Sequence, residues 1–390
     1  MNASSSQNDF LCSSHPLQLL ILQATPFCNI NCRYCYLPDR SVTDRMSMEV
    51  VEAALRFVME GDLSEKELAI VWHAGEPLAA PISFYKEAIN VISNVIDQRY
   101  KVSHSVQTNA TTINQKWCDF LKKNNFKVGV SLDGPEFLHD SNRITRSGKG
   151  TFDWTMRGIR LLQNSGIDFH VIIVLTLSTL SYAEELFLFL KEDVGIERIG
   201  FNIEEREGPH KESSITVHSE KAFRDFIDRF MTLVQDDESE PRLDVREFSE
   251  MEKNLNFLSE NIDRKVRGQE NTPFSILTVD WKGNLSTFSP ELIGNTGQKY
   301  ENFIFGNVLN DQLEDVLQRP NFQEVWKEVR TGIAMCKSQC QYFSVCGGGA
   351  PSNKYYENGT FASTQTLNCR YKVQLLAEQV LNQMEGSQIA

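Results

Sequence analysis

LQLLILQATPFCNINCRYCY, residues 17–36, joins an apolar run to three cysteines in the spacing C-x3-C-x2-C. The apolar run predicts a buried strand, and the cysteines follow it directly. Zinc in a structural site takes four ligands, whereas three thiolates on a 4Fe-4S cluster leave one iron open to bind another molecule. The motif therefore predicts such a cluster on Cys28, Cys32 and Cys35, and a zinc knuckle completed by a distant residue is the alternative.

Short apolar runs alternate with amphipathic stretches over the first 236 residues. The predicted strands are 17–25, 68–73, 104–107, 128–132, 169–176 and 198–203. The predicted helices are 48–60, 83–96, 114–124, 151–164, 182–191 and 218–233. This α/β alternation predicts a parallel sheet covered by helices, and six repeats favour a partial (β/α)6 TIM-like barrel over a doubly wound sheet. Active sites of such barrels lie at the C-terminal ends of the strands, where the first cysteines stand.

Composition and turn signals divide the chain into five predicted segments. An acidic stretch followed by Pro241 marks the end of the barrel, and a hairpin over 275–288 starts a cysteine-rich region. The segments are a flexible N-terminus (1–16), the barrel (17–236), a helical bridge (237–274), an iron-sulfur domain (275–370) and a C-terminal helix and tail (371–390).

Charge and cysteine usage exclude several classes of protein. A net charge of -13 argues against nucleic acid as a partner, because phosphate binding needs a dense basic surface. The polar start lacks the apolar core of a signal peptide, and no apolar run approaches the roughly 20 residues that cross a bilayer. We therefore expect a cytoplasmic protein that binds no membrane, with its cysteines in a reducing compartment.

A second group of cysteines stands near the C-terminus. It consists of Cys336, Cys340, Cys346 and Cys369. Four thiolates can close a site completely, and the three glycines after Cys346 allow the backbone to wrap a bulky cluster and to aim N–H groups at its sulfurs. An iron-sulfur cluster is predicted here, with zinc as the alternative. Cys118, in an apolar helical pattern, and Cys12, in the polar start, are expected to be unligated.

The first cysteine motif resembles the signature of the radical S-adenosylmethionine (SAM) superfamily. The resemblance implies that the open iron chelates SAM and that one electron releases a 5'-deoxyadenosyl radical, which abstracts a substrate hydrogen. The stretch HAGEP, residues 73–77, is similar to the Gly-Gly-Glu-Pro motif of that superfamily, with alanine in the first position. Glu76 is then the expected partner of the SAM ammonium group.

Further SAM-binding residues are expected at the ends of the strands. Arg143 matches positions that hold the SAM carboxylate in similar peptide-modifying enzymes, and a surface salt bridge is the alternative. Leu175 is a candidate for contact with adenine, although a strand leucine is core by default. The full predicted set is Tyr34, Ala74, Gly75, Glu76, Thr108, Asn109, Ser131, Arg143 and Leu175.

The C-terminal cysteines resemble the SPASM extension of peptide-modifying radical SAM enzymes. A full SPASM module binds two auxiliary 4Fe-4S clusters, but Ala350 stands where one further cysteine is expected, and the upstream cysteine pair is absent from 277–294. The retained cysteines match the second auxiliary cluster. We therefore expect one auxiliary 4Fe-4S cluster, fully ligated, with an electronic or structural role.

The stretches 283–292, 305–308 and 346–354 resemble cyclophane-forming SPASM maturases of the GrrM and OscB type. That resemblance implies a ribosomally made precursor peptide in which a Cβ hydrogen is abstracted and an aromatic ring is crosslinked to Cβ. Excision of tyramine, epimerisation and thioether formation share the same first steps and remain alternatives. Sulfatase maturation is disfavoured, because that group carries the full cysteine set. A zinc-stabilised binding protein is the alternative outside enzymology.

The reaction needs partners and a base that the sequence identifies less directly. We expect an external electron donor of the flavodoxin or ferredoxin type. The 27 residues before Cys28 are too few for a leader-recognition domain, so recognition by the barrel, the bridge or a separate leader-binding protein is expected. The candidates for a general base are Asp280, Glu291 and Glu204. The alternative for each is a solvated or capping role, which is more common for carboxylates at strand ends and turns.

Overall fold

The computed structural model of the protein describes residues 15–260, 268–295 and 298–389. Within these ranges ten strands form one sheet in the order β10-β9-β8-β1-β2-β3-β4-β5-β6-β7. The strands are β1 (Leu19–Leu22), β2 (Glu67–Trp72), β3 (Lys101–Thr108), β4 (Lys127–Ser131), β5 (Phe169–Leu175), β6 (Arg198–Ile203), β7 (Asp244–Val245), β8 (Ile276–Val279), β9 (Asn284–Thr287) and β10 (Gly306–Asn307). The neighbours from β8 through β1 to β7 pair in parallel, and β9 pairs antiparallel with both β8 and β10.

Helices connect the parallel strands and cover the C-terminal region. They are α1 (Met48–Glu60), α2 (Ile82–Val95), α3 (Gln115–Lys123), α4 (Glu136–Asn142), α5 (Phe152–Asn164), α6 (Ala183–Leu188), α7 (Glu220–Asp236), α8 (Arg246–Glu260), α9 (Leu313–Gln318), α10 (Pro320–Gln339), α11 (Phe343–Cys346), α12 (Pro351–Asn358) and α13 (Leu376–Ile389). Wider π-type turns extend α6 over Phe189–Val194 and precede α13 over Cys369–Leu375. No helix within the described ranges is long and apolar enough to cross a membrane.

Local sequence explains where the helices begin. Ser47 precedes α1, and its hydroxyl accepts a hydrogen bond from the Val50 amide at 3.2 Å, while Asn114 accepts from the Trp117 amide at the start of α3. These side chains satisfy N–H groups that have no partner within the helix. The apolar positions of α1 recur at helical spacing, so that one face of the helix is buried against the sheet.

Strand β1 lies inside the sheet and is paired on both sides. Leu20 is opposite Ile70 of β2 and also opposite Leu277 of β8. Leu20 and Leu22 are fully buried, because helices or loops cover both faces of the strand. The loop that carries the first cysteines leaves this strand, so its starting point is held firmly by the centre of the fold.

The predicted α/β class, the six βα repeats of the partial barrel and the C-terminal hairpin are confirmed. Cys118 is buried, as expected for a core residue. Cys12 and residues 261–267 of the predicted bridge lie outside the described residues.

Several element predictions were incomplete. Strand β3 starts at Lys101, three residues before its predicted start, and the helix that begins with α6 continues to Val194, beyond its predicted end at residue 191. Helix α4 was not predicted, because seven residues are too few for a helical period to show. The parallel pairing of β8 with β1 was also not predicted, since it joins residues more than 250 positions apart.

An aromatic cluster holds α2 and α3 against the sheet. Tyr85 is fully buried, and its ring meets those of Trp72, Phe84 and Trp117 edge to face at centroid distances of 5.1–5.5 Å. Its hydroxyl donates to the Pro77 carbonyl at 2.7 Å, which fixes the turn after β2. Tyr85 therefore links the core to the strand end that carries Glu76.

We expect Tyr85→Ala to lower the free energy of unfolding by about 3–5 kcal/mol, because it removes a fully buried ring. Tyr85→Phe removes only the hydroxyl and should cost about 1 kcal/mol. Urea denaturation followed by circular dichroism measures both values. Trp154→Ala, at a ring that is half exposed, is the control and should change the value by less than about 0.5 kcal/mol. Equal effects at Tyr85 and Trp154 would contradict the packing described above.

Candidate functional site

The first cysteine loop is pinned to the segment after α4. The Asn31 amide donates to the Ile144 carbonyl at 2.7 Å, and the Arg33 amide donates to the Asn142 carbonyl at 3.0 Å. The guanidinium of Arg146 donates to the Cys28 carbonyl at 2.8 Å. Backbone and side-chain hydrogen bonds from residues 142–146 therefore hold the loop, and its cysteines stand at the C-terminal end of the parallel strands.

The first three thiols lie close enough to affect one another. Burial raises the pKa of Cys28 to about 12, with further increases from Glu76 and from the thiols of Cys32 and Cys35. Burial also raises the pKa of Cys32 to about 11, and the guanidinium of Arg143 opposes this shift. Thiols with raised pKa values stay protonated at neutral pH, so binding of a cluster must release protons.

The donor set fits a 4Fe-4S cluster with one open iron. Three neighbouring thiols converge beneath one loop, and each would bind a different iron. In the described part of the chain, no three His, Cys, Asp or Glu side chains form a site for a single metal ion. The protein ligands of a 4Fe-4S cluster are spread over several irons, so they lie further apart than the ligands of a single metal ion.

The turn after β2 approaches the cysteine loop very closely. Ala74 and Gly75 both have positive φ values, 69° and 70°, and the Glu76 amide donates to the Phe27 carbonyl at 2.7 Å. A Cβ on Gly75 would lie 2.5 Å from the Thr25 carbonyl oxygen, so that any side chain there would push the turn away. Glycine is therefore required at this position by the space as well as by the backbone conformation.

Glu76 is buried and accepts three hydrogen bonds. Its carboxylate accepts from the Thr108 hydroxyl at 2.6 Å, from the Asn109 amide at 2.8 Å and from the Leu78 amide at 3.0 Å. Burial raises the pKa of Glu76 to about 6, and the three donors oppose the increase. The group is therefore mainly ionised at neutral pH and can accept a further hydrogen bond from an ammonium group.

Asn109 connects the end of β3 to the cysteine loop. Its side-chain amide donates to Asn29 Oδ1 at 3.0 Å and lies 3.9 Å from Cys28 Sγ. Asn29 in turn donates to the Thr111 hydroxyl at 2.8 Å. The predicted residues Glu76, Thr108 and Asn109 thus form one hydrogen-bonded group beside Cys28.

Arg143 forms a buried ion pair on the other side of the loop. Its Nη2 donates to Asp133 Oδ1 at 3.1 Å, and the Tyr34 hydroxyl donates to the other oxygen of Asp133 at 2.5 Å. Both charged side chains are buried, and the Arg143 Nε has no hydrogen-bond partner in the described chain. The alternative of an exposed salt bridge is therefore wrong. The predicted contact of Arg143 with the SAM carboxylate stays a prediction.

The remaining predicted SAM residues lie at neighbouring strand ends. The Ser131 hydroxyl accepts a hydrogen bond from the Gln107 side chain at 3.0 Å, at the end of β4. Leu175 is fully buried at the end of β5, which fits its default role in the core. Its predicted contact with adenine is not tested by this packing and stays a prediction.

The four C-terminal cysteines are gathered at the ends of short elements. Cys336 lies in the last turn of α10, Cys340 follows that helix, Cys346 ends α11, and Cys369 begins the turn before α13. Burial raises the pKa of Cys369 to about 11, with a further increase from Cys346, and burial likewise raises the pKa of Cys346, with a further increase from Cys340 and Cys336. The four thiols are therefore electrostatic neighbours.

The backbone after Cys346 adopts a conformation that requires glycine. Gly347, Gly348 and Gly349 have φ values of 69°, 123° and 74°. The Gly348 amide donates to Cys346 Sγ at 3.5 Å, so the loop does aim an N–H group at a sulfur. These features fit a closed cluster site, as the donor set predicts.

The three candidate bases differ in the hydrogen bonds that their carboxylates accept. Glu204 accepts from the Ser214 amide at 2.8 Å and lies 3.2 Å from His210, while Asp280 accepts from the Lys282 and Asn284 amides and closes the hairpin turn. Both carboxylates therefore stabilise local backbone. Glu291 differs, because burial raises the pKa of its carboxyl group to about 7, while hydrogen bonds from the Ser289 hydroxyl and from its own backbone amide oppose the increase.

Glu291 belongs to a group of carboxylates beside the first cysteine loop. Burial raises the pKa of Tyr36 well above its usual value, and Glu291, Cys35 and Glu207 raise it further. A Cβ on Gly208 would collide with the Tyr36 carbonyl, so the segment after β6 lies directly on this loop. The Glu291 carboxylate therefore lies near Tyr36, the residue directly after the last cysteine of the loop.

Sequence reasoning missed Glu207 and Tyr36. Glu207 is 4% exposed, lies 3.5 Å from the Asn353 side-chain amide, and has a pKa raised well above its usual value by burial and by Glu205 and Glu291. The Tyr36 hydroxyl lies 3.1 Å from His73 Nε2. Four ionisable residues in a row after β6, 204–207, were the only signal in the sequence.

Comparison with protein families matches residues 22–190 to the model of the radical SAM superfamily. The matched range contains the first cysteine loop, the turn at Gly75 and the Asp133–Arg143 pair. It therefore covers the whole of the first predicted site.

Two relatives show different extents of similarity. An uncharacterised protein of Synechocystis is 41% identical over 378 residues, which span 95% of this chain and 93% of that protein. The serine-type anaerobic sulfatase-maturating enzyme of Klebsiella aerogenes is 33% identical over 174 residues, which span 44% of this chain and 43% of the enzyme. The match to the second relative thus covers less than half of its length.

Two solved structures share the fold. The structure of anSMEcpe with bound AdoMet aligns with a TM-score of 0.76 at 22% identity and covers 95% of both chains. The structure of Streptococcus suis SuiB bound to precursor peptide SuiA aligns with a TM-score of 0.63 at 16% identity and covers 92% of this chain and 76% of SuiB. At these identities the likeness extends to the fold, including the C-terminal domain.

We expect Asp133→Asn to lower the free energy of unfolding by about 3–5 kcal/mol, because it leaves the buried guanidinium of Arg143 without its counter-ion. Urea denaturation measures the loss. Glu52→Gln breaks the exposed ion pair with Arg56 and is the control, with an expected change of less than about 0.5 kcal/mol. A loss at Asp133 no larger than that at Glu52 would show that the buried pair is not a structural necessity.

Proposed function

This chain belongs to the radical SAM superfamily, and we propose that it is a radical SAM enzyme that modifies a ribosomally made precursor peptide. Family membership implies a 4Fe-4S cluster and SAM as cofactors. The observation that carries the proposal is the close approach of the Gly75 turn to the Cys28 loop, which sets the Glu76 carboxylate beside Cys28. A carboxylate at that place can hold the ammonium group of SAM.

In the proposed site each group of residues has one task. A 4Fe-4S cluster on Cys28, Cys32 and Cys35 supplies, when bound, the electron that releases the 5'-deoxyadenosyl radical from SAM. Glu76 holds the ammonium group, and Thr108 and Asn109 keep its carboxylate ionised and aimed. Arg143 binds the SAM carboxylate through the N–H groups that Asp133 leaves free.

The peptide substrate is proposed from the fold and from its solved relatives. The structures with this fold include SuiB bound to a precursor peptide and anSMEcpe with a bound peptide. The net charge of -13 and the carboxylates around Glu291 and Glu207 also favour a peptide over a nucleic acid.

For the peptide we propose a crosslink between an aromatic ring and Cβ. The adenosyl radical takes the Cβ hydrogen, and the carbon radical adds to the ring. The ring then loses one proton to a base and one electron, for which the cluster that Cys336, Cys340, Cys346 and Cys369 would hold is the proposed acceptor. The product is lighter than the peptide by two hydrogen atoms. The proton needs a base, and Glu291 suits this task best of the three candidates, because Glu204 and Asp280 are occupied by backbone donors.

Sulfatase maturation is the second candidate, supported by the similarity to the Klebsiella enzyme over residues that include the first site. Oxidation of a serine side chain to an aldehyde also removes two hydrogen atoms, so mass alone does not separate the two reactions. An aldehyde reacts with hydroxylamine, whereas a ring-to-Cβ crosslink does not. Tyramine excision and epimerisation differ from the crosslink in product mass. Thioether formation has the same change in mass, and identification of the bond that joins the two residues after hydrolysis distinguishes it.

The Cys336 group would hold one auxiliary 4Fe-4S cluster, which supplies an electron-accepting or structural site. The anaerobically purified and reconstituted chain should contain about eight iron atoms. Replacing Cys28, Cys32 and Cys35 with alanine should lower the count to about four, as should replacing Cys336, Cys340 and Cys346. Cys118→Ala is the control and should leave the count unchanged, because that thiol is in the core.

Zinc in place of iron would contradict the proposal. An iron count that the first triple replacement leaves unchanged would also contradict it, because Cys28, Cys32 and Cys35 would then hold no cluster. Iron and sulfide analysis together with mass spectrometry of bound metals distinguishes these outcomes.

Glu291→Gln should lower the rate of product formation by about 100-fold or more, because a general base contributes at least that factor. With the pKa of Glu291 at about 7, the acid form below that pH cannot accept a proton, so the rate in the native chain should rise as pH increases through about 7. The rate is measured by mass spectrometry of the peptide under single-turnover conditions. Glu204→Gln is the matched control and should change the rate less than about threefold. A variant at Glu291 that keeps both the rate and the pH profile would remove it as the base.

A further inference from the structure

Lys354 is a buried lysine whose hydrogen-bond acceptor is a cysteine sulfur. The residue lies in α12, is 3% exposed, and its Nζ donates to Cys336 Sγ at 3.4 Å. Among the residues that the structure describes, no carboxylate forms an ion pair with it. The sulfur of Cys336 is therefore the group toward which this charge is directed.

A buried ammonium group is costly unless an anion balances it. Arg143, a deeply buried cation beside the first cysteine loop, has such an anion in Asp133. Lys354 instead donates to Cys336 Sγ, which as a free thiol also donates to the Gly348 carbonyl at 3.6 Å and would become an anion when it binds a metal cluster. The position of Lys354 is thus explained by a negatively charged group held on the four C-terminal cysteines.

The surroundings leave room for the lysine head group. Gly332 lies one turn before Cys336 on the same face of α10, and a Cβ there would stand 3.1 Å from Lys354 Nζ and would collide with the Phe361 carbonyl. On the other side, a Cβ on Gly349 would approach Lys354 Cε at 3.8 Å. Lys354 therefore fills a space that two glycines border.

Three of the four cysteine sulfurs accept hydrogen bonds from different kinds of donor. Cys346 Sγ accepts from the Gly348 amide and Cys369 Sγ accepts from the Gln374 side chain, both at 3.5 Å. Cys336 accepts from Lys354, which is the charged donor in this set. Hydrogen bonds and positive charge near cluster sulfurs stabilise the reduced state, because reduction adds negative charge.

We propose that Lys354 is a positioning residue that raises the reduction potential of the cluster on Cys336, Cys340, Cys346 and Cys369. The inference rests on the proposed function, because that cluster is part of it. The oxidised cluster gains one electron, no bond forms or breaks at Lys354, and its proton stays on Nζ. A higher potential makes the cluster a better electron acceptor, which the loss of an electron from a crosslinked ring requires.

The test is a redox titration of the full chain with Cys28, Cys32 and Cys35 replaced by alanine, so that only the C-terminal cluster contributes. The reduced cluster is followed by electron paramagnetic resonance, and iron is counted in every sample. Lys354→Met should lower the midpoint potential by about 59 mV or more, which is a tenfold change for a one-electron couple. Lys354→Arg keeps the charge and should retain most of the native potential.

Lys337→Met is the matched control, because it removes the same charge from the residue next to Cys336, where the side chain is exposed to solvent. We expect no measurable shift in that variant, since water screens an exposed charge. An unshifted potential in a fully loaded Lys354→Met protein would overturn the inference. If that variant fails to bind iron, Lys354→Gln keeps an N–H donor without the charge, and a native potential in Lys354→Gln would overturn the inference in the same way.

Failure of the proposed function gives a different result. The chain with the three N-terminal cysteines replaced would then contain no iron, or would contain zinc, before any change at Lys354. A chain that holds four irons with a potential insensitive to Lys354 would leave the cluster in place and would remove only the role of the lysine.

Discussion

The site depends on how closely the turn after β2 approaches the loop after β1. Two consecutive left-handed residues, Ala74 and Gly75, bring the Glu76 amide within 2.7 Å of the Phe27 carbonyl. This contact is made between two backbones, so no side-chain replacement can imitate it, and it sets the carboxylate beside the cysteine loop. Because β1 is paired on both sides, the loop has little freedom to move away.

Buried charges are compensated in different ways around this contact. Arg143 has Asp133, Glu76 has three N–H or O–H donors, and Lys354 has a cysteine sulfur. The carboxylates of Glu207 and Glu291 have weaker compensation, and burial raises the pKa of each. Buried carboxylates with raised pKa values lower the stability of the fold, but they are suited to accepting protons. Their burial is therefore consistent with the proton transfer proposed for Glu291.

The C-terminal cysteine region is joined firmly to the barrel. β8 extends the barrel sheet by pairing with β1, so the hairpin that leads to the second cysteine group starts beside the strand that the first cysteine loop leaves. At the other end, Arg370 pairs with Glu220 of α7 and Arg224 pairs with Glu378 of α13. Two cysteine groups that are distant in the sequence are therefore carried by one continuous framework, as the proposed electron transfer requires.

The sequence by itself determined the elements and the two cysteine groups. The periodicity of 48–60 and the apolar run 198–203 predict α1 and β6 with the bounds that the structure has, and the spacing of Cys28, Cys32 and Cys35 is a local property of one loop. Only the tertiary structure decided that β8 pairs with β1, that Arg143 faces Asp133, that Glu207 and Glu291 share one region, and that Lys354 points at Cys336. The reason is physical: periodicity and motif spacing record interactions between near neighbours in the chain, whereas pairing of buried charges depends on contacts between distant segments.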